Sequence, residues 1–170
     1  AAINNCFFIL LLQNFKIDKL ERLKECPKIF CHGDYHGANL IFNKNEKVIG
    51  IVDWELSGKG YRIWEVLRSM SFLCDIDYNG SMIGPIDFKK ALKYLQAYHN
   101  SYPLTELEIS LALELIQFKS LCSCFIIDMH YNYNRKDTDI FKPNKPSHWF
   151  WWIENGQLFK KEVLDKLEFF

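Results

Sequence analysis

The sequence predicts an α+β fold that is mostly α-helical and contains one small β-hairpin. Its 170 residues fit a single domain, which we place at residues 1–170. The fractions of hydrophobic (49%) and charged (25%) residues are those of a globular chain with its own core. Strand-like runs occur only within residues 28–52, whereas apolar residues recur at helical spacing through most of the remainder.

The charge balance and the cysteine pattern limit the possible partners and compartments. Lysine plus arginine (21) equals aspartate plus glutamate (21), so the chain lacks the basic character of proteins that bind nucleic acid or anionic membranes. The longest apolar run, residues 6–12, is too short to span a bilayer. The six cysteines form no CxxC pair, which indicates free thiols in a reducing compartment. We expect a soluble cytoplasmic protein that binds neither nucleic acid nor membranes.

The first third of the chain is predicted to form a helix followed by the hairpin. Apolar spacing indicates a helix over residues 3–24, and an extended stretch follows at residues 28–31. Residues 40–42 and 48–52 are β-prone and are separated by a polar turn, a pattern typical of a hairpin. The hairpin then carries the loop HGDYHGAN, residues 32–39, at its start, and we expect the hairpin to pack on a helical bundle.

From Arg62 onward the pattern predicts only helices. Thr105 and Glu108 form a capping box at the start of a long central helix that reaches about His130. Ser147 is expected to cap a short aromatic helix that ends at Asn155-Gly156. The apolar stripes expected to face the core are Ile63, Val66, Met70 and Leu73, then Phe88, Ala91, Leu92, Leu95 and Tyr98, and finally Phe159, Val163, Leu167 and Phe170.

Four residues around the hairpin form the candidate site: His32, Asp34, Asn39 and Asp53. Asp34 and Asn39 lie five residues apart in the loop, and Asp53 ends the second strand, so the hairpin brings it back beside the loop. Two carboxylates and an amide oxygen are hard ligands suited to Mg²⁺. Phosphoryl transfer uses such a set, with one carboxylate as proton acceptor and the other groups holding metal on the phosphates.

The spacing His-x-Asp-x-x-x-x-Asn, followed by a hydrophobic strand that ends in Asp, is that of a kinase catalytic loop. Here it reads CHGDYHGANLIF, followed fourteen residues after Asn39 by the Asp of IVDWE. This variant resembles the aminoglycoside phosphotransferase and choline kinase family, strongly over residues 25–75 and loosely over the helical remainder. The resemblance implies a protein-kinase-like fold, of which this chain would be the C-terminal lobe.

The resemblance also implies a role for each site residue. Asp34 would be the catalytic base, and Asn39 and Asp53 would bind Mg²⁺ and, through it, the nucleotide. His32 would give structural support by tying the loop to the backbone near Asp53. His36 lies where the family tolerates many residues, so no catalytic role is assigned to it.

The implied activity is transfer of the γ-phosphate of ATP to a hydroxyl of a small molecule such as an aminoglycoside, choline or a homoserine-like acceptor. Such an enzyme also needs a glycine-rich strand pair and a lysine over the phosphates. No such segment precedes residue 25. We therefore expect the N-terminal nucleotide lobe of the same protein to be absent from this chain and to act as its partner, and the isolated chain to be inactive.

Two other functions remain open. One is a non-catalytic kinase-like binding or scaffold protein, and the other is a metal-dependent hydrolase that uses the same carboxylates. A zinc site built from Cys31, His32, Asp34 and His36 is disfavoured, because neighbouring strand residues point to opposite faces. The segment SGKGYR at residues 57–62 hints at a phosphate loop, but it lacks the GxxxxGK[ST] pattern.

Several further groups have two interpretations. Glu55 either assists the metal or a water molecule or is a solvated carboxylate. The cluster Trp149–Trp152 fits core packing better than a cage for a cation. Glu65 falls where many relatives have Asp, which suggests a structural position. The acidic residues that would meet a cationic acceptor, each also explained as a surface charge, are Asp75, Asp77, Asp128, Asp137, Asp139 and Glu154.

Overall fold

The architecture is α+β and mostly α, as the sequence predicts. We describe residues 17–76, 85–122 and 148–167 of a computed structural model of the chain. The elements are α1 (Ile17–Glu21), β1 (Lys28–Cys31), β2 (Leu40–Phe42), β3 (Val48–Ile51), β4 (Gly58–Tyr61), α2 (Arg62–Leu73), α3 (Phe88–Ser101), α4 (Glu106–Cys122) and α5 (His148–Phe159). Helix α1 is followed by a 3-10 turn at Arg22–Glu25, a second 3-10 turn at Gly37–Asn39 precedes β2, and α5 continues into a π-helical turn at Lys160–Leu164.

The strands form two separate two-stranded antiparallel sheets. The predicted hairpin is confirmed as β2 paired with β3, with Leu40 opposite Ile51 and an irregularity between Ile41 and Phe42. The second sheet pairs β1 with β4, which the sequence analysis did not predict. The SGKGYR segment therefore supplies a strand and not a phosphate loop.

Strand β4 was not predicted because two of its four residues are glycines, which lack the side chains that favour strands. One of these glycines has a packing role. A Cβ atom added at Gly60 would lie 3.1 Å from the Cys31 Sγ, so only a residue without a side chain fits there easily.

The core lies among helices α2 to α5, and the predicted stripes face it. Ile63, Val66 and Met70 are buried on α2, and Ala91 and Leu95 on α3, while the remaining described stripe residues pack against them. The long helix α4 is apolar on most faces and contributes Ile109, Leu111, Ala112, Leu113, Leu115 and Ile116 to the core. Phe159, Val163 and Leu167 complete it from the C-terminal segment.

The aromatic helix does not end at Asn155-Gly156, contrary to the sequence prediction. Helix α5 runs through Gly156 to Phe159. A Cβ atom at Gly156 would lie 2.8 Å from the Gln117 Nε2 and 3.0 Å from the Leu113 Cδ1. The glycine thus lets α5 approach α4 closely instead of ending the helix. Trp152 is fully buried in this contact region, in agreement with core packing.

The hairpin is less embedded than expected. We predicted that it packs on the helical bundle, but Phe42, Val48 and Ile49 are exposed. The core cluster found in the described ranges takes no residue from β2 or β3. It is the β1–β4 sheet that contacts α2. The hairpin is connected to the helices mainly through the loop that precedes it, as described below.

The capping box is confirmed, and it is also part of a buried ion pair. The backbone N–H of Glu108 donates to the Thr105 Oγ1 (3.2 Å), and the Glu108 carboxylate accepts from the Thr105 N–H (2.8 Å). The same carboxylate accepts from the Arg62 Nε at 3.0 Å. Arg62 also donates to the Pro103 carbonyl (2.9 Å), so it joins the start of α2 to the start of α4.

Some predictions concern residues that lie outside the described ranges. They are the first part of the helix at residues 3–16, the end of the central helix beyond Cys122, the Ser147 cap and Phe170. Cys26, Cys31 and Cys74 are free thiols, as predicted, and burial raises the pKa of each, that of Cys74 to about 11. Within the described segments, no helix combines the length and the apolar character needed to cross a membrane.

Candidate functional site

The loop at residues 32–39 depends on a glycine. Gly33 has φ +82°, a conformation that side-chain-bearing residues rarely adopt. A Cβ atom at this position would lie 2.1 Å from the carbonyl oxygen of Leu56. The chain that follows β3 therefore passes directly against the loop, and Gly33 makes this approach possible.

Substitution of Gly33 tests this packing. We expect Gly33→Ala to lower the free energy of unfolding by about 2 kcal/mol or more, because the residue combines a positive φ with a backbone clash. Gly58→Ala is the matched control, since a Cβ atom there meets nothing within 4 Å. Urea unfolding of both variants measures the difference. Equal stability of the two variants would contradict the described loop conformation.

The Asp34 carboxylate lies between two nitrogen donors. The Arg68 Nη2 donates to Oδ1 at 2.8 Å, and the His36 Nε2 lies 3.2 Å from Oδ2. The His36 Nδ1 accepts from the Ala38 N–H (3.2 Å), so in the neutral ring the proton is on Nε2 and points to Asp34. The Asp34 side chain remains 25% exposed. It is thus held in place and still open to a ligand.

Asn39 is buried behind Asp34, with 6% of its surface exposed. Its Nδ2 donates to the Asp34 carbonyl oxygen at 2.9 Å. This bond fixes the amide orientation and leaves Oδ1 without a hydrogen-bond partner among the described residues. The structure therefore brings Asn39 and Asp34 together, as the spacing in the loop predicts.

Val52, the residue before Asp53, is held beside the loop by hydrogen bonds of its backbone. The Val52 N–H donates to the Asn39 carbonyl (3.0 Å), and the Val52 carbonyl lies 2.8 Å from the His32 Nε2. The His32 Nδ1 accepts from the Asp34 N–H (3.3 Å), so Nε2 carries the proton and donates to Val52. The buried His32 ring thus links the loop to the residue before Asp53.

The backbone of Asp53 is itself unusual. It has φ +63°, in the left-handed region that costs a non-glycine residue about 1 kcal/mol or more. The side chain is exposed and makes no hydrogen bond or ion pair with any described residue. Asp53 therefore forms a sharp bend directly after the residue that is hydrogen-bonded to the loop, and its carboxylate is exposed.

Two residues that support the loop were missed or undervalued by the sequence analysis. The Glu65 Oε1 accepts from the Gly33 N–H at 3.0 Å, and Arg68 donates to the Gly33 carbonyl as well as to Asp34. Glu65 and Arg68 are three residues apart on α2 and therefore share one face. Their spacing on an otherwise apolar helix is the signal that points to such a role.

The free oxygens at this site fit a divalent cation. The Asn39 Oδ1 and the Asp53 carboxylate are hard ligands that have no hydrogen-bond partner among the described residues, and Mg²⁺ is commonly held by one or two such groups together with phosphate oxygens and water. Glu55 is exposed two residues further on and is unpaired within the described part of the chain. The residues present therefore suit Mg²⁺.

A zinc site receives no support from the geometry. In the described segments, no group of three His, Cys, Asp or Glu side chains is placed to hold a metal ion. The Cys31 Sγ is buried and lies 3.8 Å from the carbonyl oxygen of Ile29, within its own strand.

Comparison with known proteins identifies the family. The model of the phosphotransferase enzyme family (APH) matches residues 9–99, more than half of the chain. The match includes the loop, Asp53 and the helix that carries Glu65 and Arg68. No curated protein matches the chain significantly. The chain belongs to the phosphotransferase enzyme family.

Proposed function

We propose that this chain is the C-terminal lobe of a protein-kinase-like phosphotransferase that moves the γ-phosphate of ATP to a hydroxyl of a small molecule. The main support is the arrangement around Asp34: its partly exposed carboxylate is held by Arg68 and His36, the Asn39 amide is fixed on the Asp34 carbonyl, and the exposed Asp53 directly follows a residue that is hydrogen-bonded to the loop. Membership of a phosphotransferase family agrees with this chemistry.

In this mechanism Asp34 accepts the proton of the acceptor hydroxyl. Each carboxylate oxygen already accepts one hydrogen bond, which leaves lone pairs for the incoming hydroxyl. Arg68 and His36 keep the carboxylate oriented, which serves the positioning that phosphoryl transfer requires. Asn39 and Asp53 would hold Mg²⁺, which when bound neutralises charge on the phosphates. His32 maintains the separation between the proton acceptor and the metal ligands.

A transfer assay tests the proposal. The full-length protein is incubated with Mg²⁺–ATP and a panel of hydroxylated amines and alcohols, and phosphorylated products are detected by mass spectrometry. We expect ADP and a phosphorylated acceptor in equal amounts. Nucleotide binding without product would favour the non-catalytic scaffold, and release of phosphate from phosphoesters without ATP would favour the hydrolase.

A further inference from the structure

One cationic side chain, that of Lys119, packs against the Phe72 ring beside the loop and has no carboxylate partner among the described residues. Lys119, on α4, is half-buried, and its Nζ lies 5.2 Å from the centre of the Phe72 ring. It forms no ion pair with a carboxylate in the described part of the chain. Burial, with a smaller contribution from the positive charge of Arg68, lowers the pKa of Lys119 to about 8. A lysine taken out of water without a counter-charge is costly, so an anionic partner would stabilise it.

The Phe72 ring connects this lysine to the candidate active site. The ring of His36 lies 5.4 Å from that of Phe72, and the Arg68 Cζ lies 5.8 Å from the ring centre. Lys119, Arg68 and His36 therefore surround one aromatic side chain that adjoins the loop. Asp34 is paired with both Arg68 and His36 and so compensates only one of the two full positive charges. The cluster keeps a net positive charge beside the proton acceptor.

We propose that Lys119, together with Arg68, binds an anionic group of the acceptor, a carboxylate or a phosphate ester, while the acceptor hydroxyl faces Asp34. This inference rests on the proposed function and names the acceptor class for the same site. The two cations supply charge-assisted hydrogen bonds, and Phe72 supplies an apolar wall that excludes water from them.

The anionic acceptor replaces the cationic one considered from the sequence. Of the six acidic residues suggested there, only Asp75 and Glu154 lie in the described part of the chain. The Asp75 backbone pairs with Ile86 and its side chain is buried, whereas Glu154 is exposed on α5. Among the described residues, the side chains that contact the Asp34 carboxylate are those of Arg68 and His36, and the only other charged group on this face of α2, the Glu65 carboxylate, is bound to the Gly33 N–H.

Binding of four simple alcohols to the full-length protein, without nucleotide, tests the proposal by calorimetry. The probes are 4-hydroxybutyrate and glycerol 3-phosphate, which are anionic, 1,4-butanediol, which is neutral, and choline, which is cationic. We expect at least one of the two anionic probes to bind at least about tenfold more tightly than both the neutral and the cationic probe. The comparison of the two anions identifies whether a carboxylate or a phosphate is preferred.

Three variants locate the binding group. Lys119→Gln should weaken anion binding at least about tenfold, Lys119→Arg should retain most of it, and the exposed control Lys93→Gln should leave it unchanged. Thermal unfolding shows whether each variant is folded. Anion affinity unchanged in a folded Lys119→Gln variant would overturn the proposal. If that variant does not fold, the selectivity of the wild-type protein tests the proposal instead. Choline that binds as tightly as 4-hydroxybutyrate would then refute the proposal.

The outcomes separate this inference from the proposed function. Anion binding that depends on Lys119, without ATP-dependent transfer to any alcohol, would support the subsite and contradict the phosphotransferase. Transfer to choline without measurable binding of either anion would support the phosphotransferase and contradict the subsite.

Discussion

Asp34→Asn should lower kcat of the full-length protein by about 10²–10⁴-fold, the usual contribution of a general base. The amide keeps the shape of the side chain but cannot take the hydroxyl proton. Nucleotide affinity should stay near the wild-type value, because the proposed mechanism assigns the Mg²⁺ ligands to Asn39 and Asp53. Steady-state kinetics and calorimetric titration with Mg²⁺–ATP measure the two quantities separately.

Asp53→Ala should behave differently from Asp34→Asn. It removes a carboxylate from the proposed Mg²⁺ site, so both turnover and Mg²⁺-dependent nucleotide affinity should fall. Glu46→Gln is the control, since Glu46 is an exposed acid that also has a positive φ, at the far turn of the hairpin. The assigned roles are wrong if Asp34→Asn keeps most of its activity, or if both substitutions reduce nucleotide affinity equally and spare turnover.

Arg62→Met should lower the free energy of unfolding by about 3–5 kcal/mol, because it leaves a buried charge without its partner. The Glu108 side chain is 0% exposed and pairs with Arg62, which also holds Pro103. Chemical denaturation measures the loss. Lys166→Met, which breaks an exposed ion pair with Glu162, is the control and should change stability little.

A double variant distinguishes the buried charge from the packing around it. Arg62→Met combined with Glu108→Leu removes both charges, and such replacements are often close to neutral. We therefore expect the double variant to recover much of the stability that Arg62→Met loses. A double variant as unstable as the single one would show that the loss comes from packing or from the Thr105 cap.

The same ion pair predicts a pH dependence. Burial raises the pKa of Glu108, but the Arg62 guanidinium and the Thr105 donors outweigh it and hold the pKa below its usual value. The stabilisation is therefore complete above the unfolded-state pKa of about 4.3 and is lost as the pH falls through the lower folded-state pKa. Denaturation between pH 3 and pH 7 should show this loss in the wild type and a weaker one in the double variant.

The features that the sequence alone determined are local ones. The β2–β3 hairpin follows from two β-prone runs and a short polar turn, and the Thr105–Glu108 cap follows from a spacing of three residues. The candidate site could be named for the same reason, since Asp34 and Asn39 share one loop and the hairpin returns the chain at Asp53. In each case the determining contacts join residues that are close in the chain.

The features that only the tertiary structure decided join distant segments. Strand β4 exists because Gly58–Tyr61 pairs with Lys28–Cys31, since two of its own four residues are glycines, which do not favour a strand. Helix α5 passes through Gly156 because α4 lies against it, so a residue that often ends helices serves close packing instead.

The positions of the residues around the candidate site also depend on contacts between distant segments. Arg68 and Lys119 are 34 and 85 positions after Asp34; Arg68 reaches the loop from α2, and Lys119 lies over the Phe72 ring because α4 packs against α2. No local sequence pattern encodes these long-range contacts, because they depend on how the apolar faces of whole helices pack together. Burial in that packed arrangement, which the chain acquires only on folding, lowers the pKa of Lys119.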